Sequence, residues 1–260
     1  MKLASAVGCV RKLCRASEAM LRCTLVGPRQ LPALCQCVLD WEVQHRACSL
    51  RQCTLEEFLG DVVGLEGVQR MRFNLPLLRG ARAVSLGETL ALCSLVSAVR
   101  ASAVFEFGTY RGWTSSVLAS CMEQGGRLLT LELPPGHKAA GALERRDVYD
   151  LLESEVGQAF KAAAPDRARV IQLWGDSALF DFSPWRHTVD LVFIDGAHTE
   201  EYVRNDTVRA LGLVRPGGLV VWHDLKHSCP GVVRFLLQLA ETRCLYHIED
   251  TSLVVYRASG

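Results

Sequence analysis

Five short apolar runs in this chain end in acidic or histidine residues, and those ends are where chemistry could be done. Ala103-Val104-Phe105 leads into Glu106 and Gly108, with Gly112 beyond. The run from Arg127 closes on Glu132, the next reaches Gly175-Asp176-Ser177, the fourth ends in Ile194-Asp195 with His198 three residues on, and the fifth ends in Trp222-His223-Asp224. A carboxylate at Glu132 offers two oxygens to a pair of ribose hydroxyls, and Asp176 could take an adenine amino group. Asp195 and Asp224, with His223 beside them, suit a hard divalent cation such as Mg²⁺. His198 could then take a proton from a hydroxyl whose pKa the metal has lowered. Acids at strand ends also cap the helices that follow, which explains one or two such positions well and five poorly. A lone histidine at His198 would be a helix-start residue; beside Asp195 and His223-Asp224 the chemical reading is stronger.

These residues need strands that end side by side. From residue 103 onward the pattern alternates: strands at 103–107, 127–132, 168–174, 189–194 and 217–222, with helices at 113–122, 141–161, 199–212 and 230–240. Such alternation predicts a parallel sheet with helices on both faces, in which ligands sit beyond the C-terminal strand ends. Two further strands, 243–248 and 252–257, are joined by a short turn at Glu249-Asp250 and predict an antiparallel hairpin at the sheet edge. The fold expected is therefore a Rossmann-like, doubly wound, mostly parallel seven-stranded sheet over residues 85–260. Glu106-x-Gly108-x-x-x-Gly112 makes the first turn, from strand to helix, and leaves room for a nucleotide-like ligand. A dinucleotide fingerprint, G-x-G-x-x-G, is absent from the sequence.

Residues 1–84 read as a helical, cysteine-rich extension. Leu34, Val38, Trp41 and His45 repeat at helical spacing, and Thr54-Leu55-Glu56-Glu57 is a capping box opening another helix through Phe58 and Leu59. Residues 60–80 look like irregular connection. A second capping box, Ser85-Leu86-Gly87-Glu88, starts the helix before the first strand. Tyr202 and Asp206, one turn apart on the helix after Asp195, read as a solvated face.

The chain has 260 residues, 49% hydrophobic and 22% charged, with a formal charge of +1. That balance fits a globular domain with a large core and argues against nucleic acid as a partner. No apolar run reaches membrane-spanning length, so no membrane partner is expected, and the protein is read as cytoplasmic. The basic, acid-poor start, MKLASAVGCVRKLCRAS, suits either a transit peptide or an amphipathic helix. Eleven cysteines include Cys9, Cys14, Cys23, Cys35, Cys37, Cys48 and Cys53 near the start, with no C-x-x-C pair, which favours reduced core thiols over a zinc site. The apolar N-terminal helices leave a homo-oligomer open.

Glu106-x-Gly108-x-x-x-Gly112 resembles motif I of the class I methyltransferases that use S-adenosylmethionine (SAM). Residues 193–224, FIDGAHTEEYVRNDTVRALGLVRPGGLVVWHD, are similar to the signature of the family that includes macrolide sugar O-methyltransferases and cephalosporin hydroxylase-like proteins. VFEFGTYRGWTS and GDS match earlier motifs of that family, and SPW at 183–185 does so more loosely; the resemblance spans about residues 85–257. It implies SAM bound by Glu106, Gly108, Thr109, Tyr110, Gly112, Glu132, Asp176, Ser177 and Asp195. It implies a divalent metal on Asp195, His223 and Asp224, His198 as the base, and a small-molecule hydroxyl as methyl acceptor. The metal implied is Mg²⁺ first; the best-studied metal-binding members carry Glu where this chain has His223, and since histidine ligates Mn²⁺, Fe²⁺ or Zn²⁺ better than Mg²⁺, those ions stay open. Two other readings use the same residues: a metal-dependent hydroxylase or hydrolase built on His198, His223 and Asp195, and a non-catalytic SAM- or metal-binding module.

Overall fold

The computed structural model describes residues 39–40, 42–44, 49–64, 84–143, 147, 155–162 and 169–259. Within them one sheet is built from β1 (Arg51–Cys53), β2 (Ala103–Phe107), β3 (Arg127–Glu132), β4 (Val170–Trp174), β5 (Val189–Ile194), β6 (Val214–Trp222), β7 (Tyr246–Ile248) and β8 (Val254–Arg257). Their order is β1-β7-β8-β6-β5-β2-β3-β4. Only β8 runs antiparallel to its neighbours, β6 and β7. The helices are α1 (Leu55–Glu57), which continues as a π-helical stretch Phe58–Val63, then α2 (Leu86–Ala98), α3 (Trp113–Cys121), α4 (Gln158–Ala162), α5 (Glu200–Leu213) and α6 (Pro230–Ala240).

Alternation along the strands divides the core in two, because successive side chains leave opposite faces. Val104, Leu191, Phe193, Leu219 and Val221 pack with Leu92, Leu95 and Val96 of α2, Leu118 of α3, Phe58 and Phe160. Phe105, Phe107, Val192, Ile194, Val220 and Trp222 pack with Val203, Ala210 and Leu213 of α5 and Phe235 and Leu236 of α6. All six residues of β5 are buried, as a central parallel strand covered on both faces requires. Both capping boxes form: Thr54 with Glu57, and Ser85 with Glu88.

Where the chain reverses, β2 lies between β3 and β5, so the crevice beyond β2 and β5 is the topological switch point. Register sets the strand ends level. Phe107 pairs with Leu131 on one side and Ile194 on the other, and Ile194 pairs with Trp222. Gly108, Glu132, Asp195 and His223, each the next residue, therefore begin one row. At the opposite end Asp190 accepts from the Ser102 and Ala103 amides (2.8 Å each) and from Arg215 Nε at 2.5 Å. This explains the Arg-Pro-Gly-Gly turn. A Cβ on Gly218 would lie 2.7 Å from the Asp190 carbonyl oxygen, so only glycine fits there.

The sheet departs from expectation in two ways. It has eight strands rather than seven, and the β7–β8 pair is not at the edge: β1 pairs in parallel with β7 and takes that place. Three residues of sequence RQC are too few to show a period, and β1 finds its partner across most of the chain. The helix expected over 141–161 is, among the described residues, only α4. Gly157 has φ +68, and a Cβ there would meet the Phe160 ring at 2.3 Å, so this glycine turns the chain just before α4. Residues 39–40 and 42–44 are helical, in line with the Leu34–His45 spacing; the other residues of that spacing, the N-terminal start and Cys9, Cys14, Cys23, Cys35, Cys37 and Cys48 lie outside the described residues. Cys53, Cys93 and Cys244 are free thiols. Among the described residues no helix is long and apolar enough to cross a membrane.

Candidate functional site

The turn after β2 is shaped by close backbone approach. Gly108 has φ +89, and a Cβ on it would fall 2.2 Å from the Asp195 carbonyl oxygen. Tyr110 also has a positive φ, +47. The amides of Thr109 and Tyr110 both donate to Glu132 Oε2, at 2.9 and 2.7 Å, and Leu133 N donates to Oε1 at 3.2 Å. Burial raises the Glu132 pKa against these hydrogen bonds. Gly112 sits against the Phe160 ring and Gly157, where a Cβ would overlap both.

Gly108, Tyr110, Glu132, Asp176, Ser177 and Asp195 line one cleft at the switch point. Glu106, Thr109 and Gly112 stand behind it. Glu106 is 1% exposed and accepts from Ser115 Oγ. Burial pushes its pKa up to about 8, so it is a protonated floor beneath the turn rather than a free anion. Thr109 Oγ1 is tied to Thr130 Oγ1 at 2.7 Å.

A second cluster adjoins the first across Asp195, Gly196 and Ala197, which line both cavities. His223 Nδ1 lies 3.0 Å from Asp195 Oδ1 and 3.1 Å from Asp224 Oδ1. One donor atom each from Asp195, His223 and Asp224 falls within 4.8 Å of the others. Asp224 has φ +66 and also receives Lys226 Nζ at 2.6 Å. His198 joins Asp224 through Nε2 at 2.6 Å and Asp147 through Nδ1. Burial disfavours a charged His198, but hydrogen bonds to Asp147 and Asp224 outweigh it and push its pKa up to about 10. In this arrangement His198 is an imidazolium at neutral pH. His223 is likewise held protonated: burial opposes the charge, and Asp195 and Asp224 overcome it. The positive His223, the hydrogen bond from His198 and Lys226 in turn hold Asp224 well below the usual carboxylate range despite burial.

Tyr202 and Asp206 correct an expectation. They are 5% and 1% exposed and line the cleft, not a solvated face. Tyr202 OH donates to Asp176 at 3.0 Å and accepts from Gly141 N at 3.2 Å. Burial lifts Asp206 to about 6. This side of α5 packs on the loops after β3 and β4, while its other side packs on the sheet. A reading that allows a helix one buried face misses that. Three further residues have roles that the sequence does not signal. Asp147 has no motif around it, Lys226 falls between the strand at 217–222 and the helix at 230–240, and Glu88 has the place of a helix cap; a polar capping residue followed by an apolar run gives no sign of burial.

Residues 105–225 match the family described as a methyltransferase domain. A Mycolicibacterium vanbaalenii protein assigned by name to the O-methyltransferases is 32% identical over 146 residues, 55% of this chain and 56% of that protein. Catechol O-methyltransferase B of Danio rerio is 30% identical over 170 residues, 62% of this chain and 58% of that one. The chain thus spans a little over half the length of these curated relatives. The crystal structure of SAH-bound Podospora anserina methyltransferase PaMTH1 aligns with a TM-score of 0.50 at 13% identity, over 68% of this chain and 80% of that one, a likeness of fold. The matched stretch begins inside β2 and ends just past Asp224, so the likeness to methyltransferases takes in all five strand ends.

Proposed function

We propose that this protein transfers the methyl group of SAM to a hydroxyl of a small-molecule acceptor. The observation that carries the reading is the shared wall Asp195-Gly196-Ala197. It sets a cleft suited to a nucleoside directly against a cluster of acids and histidines suited to a hydroxyl. The acceptor oxygen attacks the methyl carbon, the carbon–sulfur bond breaks, S-adenosylhomocysteine leaves, and the hydroxyl proton passes to a base. The sulfonium is already activated, so in-line positioning supplies most of the rate.

In this reading Glu132 binds the ribose hydroxyls through the oxygen lone pairs that the Thr109 and Tyr110 amides do not occupy. Asp176 and Ser177 lie at the adenine end, with Tyr202 fixing Asp176. Five carboxylates line the cleft, from Glu132, Asp147, Asp176, Asp195 and Asp206, which favours a cationic cofactor. His198 is the proton acceptor of this scheme; it must first give up its Nε2 proton, the one directed at Asp224, while Nδ1 stays on Asp147.

Asp195, His223 and Asp224 fit a divalent metal in donor number and spacing once the metal displaces the Nδ1 proton of His223, and their two carboxylates and one imidazole suit Mn²⁺ as well as Mg²⁺. Such a metal, when bound, lowers the pKa of the acceptor hydroxyl. Residues 1–84 are read as an extension to the catalytic domain at 85–260. Asp40 supports a covering role, since its Oδ1 takes the His227 amide at 2.7 Å beside the Asp224 loop. The free thiols suit the cytoplasm.

Calorimetric titration with SAM, with and without Mg²⁺ or Mn²⁺, tests this on wild type and on Asp195→Asn with Asp224→Asn. Micromolar SAM binding, with metal binding lost in the double variant, is expected. No SAM binding under any metal condition refutes the reading; SAM binding without a metal response removes the metal alone.

A further inference from the structure

Glu88 does more than its capping box requires. As the third residue of α2 it needs one oxygen for the cap: Oε2 takes Ser85 N at 2.8 Å, while Ser85 Oγ accepts Glu88 N at 3.2 Å. A residue with only that task can leave its second oxygen in water. Here the side chain is buried, 6% exposed, and Oε1 points inward. It accepts from Ser252 N at 3.0 Å and Ser252 Oγ at 2.5 Å, and it lies 3.4 Å from His223 Nε2. That last contact is at ion-pair distance without hydrogen-bond alignment. Among the described residues Nε2 has no hydrogen-bond partner. The other ring nitrogen, Nδ1, faces Asp195 and Asp224.

We infer that Glu88 is a positioning residue for His223. It holds the Nε2 side of the ring, so that Nδ1 is presented to the Asp195–Asp224 pair. The capping box and Ser252 fix the carboxylate, and the carboxylate fixes the ring. A carboxylate behind a ligating imidazole orients the ring and sets which nitrogen is offered, and its loss commonly weakens metal binding by about 10–100-fold. The inference rests on the metal-assisted reading above for its consequence, but the orientation of the ring is measurable without any metal.

The test uses the full chain in three forms: wild type, Glu88→Gln and Ser252→Ala. Glutamine still serves a capping box, so α2 keeps its start. Two readouts are taken: ¹⁵N resonances of the His223 ring, assigned by loss in His223→Asn, and calorimetric titration with Mn²⁺ alone and with SAM alone. Glu88→Gln is expected to shift the His223 ring nitrogens and weaken Mn²⁺ binding about tenfold or more, with SAM affinity within about twofold of wild type. Ser252→Ala is expected to move both readouts in the same direction by less, and it carries the test if Glu88→Gln does not fold. Ring resonances and Mn²⁺ affinity unchanged in both variants overturn the inference. If wild type takes no Mn²⁺, the metal reading fails, and the ring resonances alone decide: a shift in Glu88→Gln supports the positioning role and no shift overturns it.

Discussion

Substituting Gly108 by alanine is the sharpest test of how the two halves of the site are joined. The new Cβ would lie 2.2 Å from the Asp195 carbonyl oxygen and 2.8 Å from its carbonyl carbon, whereas real Cβ contacts stay beyond 3.0 Å. The obstacle is backbone on a buried central strand end, so it cannot swing aside. Two costs add: a left-handed backbone for a residue with a Cβ, about 1–2 kcal/mol, and overpacking in a tight interior, about 1–3 kcal/mol. Gly125→Ala separates them. Gly125 has φ +76 and nothing within 4 Å of an added Cβ, so it carries the backbone cost alone. Urea unfolding should therefore show Gly125→Ala losing about 1–2 kcal/mol and Gly108→Ala about 2–5 kcal/mol. The relief available to Gly108→Ala is to push Asp195 away, and a displacement near 1 Å at a reacting centre can cost about 100-fold in rate. SAM affinity and turnover should thus fall in Gly108→Ala and hold in Gly125→Ala. Equal stability losses in the two variants, with SAM binding intact in both, would refute the idea that the Gly108–Asp195 contact sets the site.

Glu106 gives a pH signature of opposite sign to that of a paired surface acid. Its folded pKa is raised from 4.5 to about 8 by burial, so its contribution is favourable below about 4.5 and is lost as pH rises toward 8. The stability of Glu106→Gln relative to wild type should increase over that window by on the order of a few kcal/mol and level off above it; a difference independent of pH in urea melts refutes this. Tyr202→Phe removes a hydroxyl that bonds both Asp176 oxygens and Gly141 N. It should cost about 1–2 kcal/mol in denaturation and weaken SAM binding several-fold by calorimetry. Asp190→Ala strips partners from two backbone amides and Arg215 at the far end of the sheet. It should lower stability by about 2–4 kcal/mol while SAM affinity in the folded protein stays near wild type; a selective loss of SAM binding would contradict its purely structural place.

The sequence was most legible where local pattern and tertiary role coincide. β2, β3, β5 and α6 have the bounds their residues predict, because a buried parallel strand and a helix opened by Pro230 carry their own signals. Both capping boxes form for the same reason. Legibility failed where burial came from a distant partner. Arg51–Cys53 is polar and short, and it becomes a strand only because Tyr246–Ile248 offers a free edge. Tyr202 and Asp206 occupy a polar stretch of α5 that is buried by loops rather than by the sheet. Asp147 and Glu88 are acids whose importance depends on which histidine they meet. In His198 the residue was legible and its state was not: spacing after Asp195 marks it as a base, while two carboxylates from elsewhere hold it protonated.

Parallel register is what makes the strand ends one site. Phe107, Leu131, Ile194 and Trp222 are paired across four adjacent strands, so the residues after them emerge at one height. Side chains alternate faces along a strand, and each residue advances it by about 3.3 Å. One residue inserted within β5 would therefore either carry Asp195 about one residue beyond Gly108 and His223 or reverse which of Val192 and Phe193 meets which half of the core. Neither is compatible with a strand buried at all six positions. The packing that makes β5 a central strand is thus what holds Asp195 against His223. The acid needs no fixing network of its own, and the chemistry of the site inherits its precision from the core.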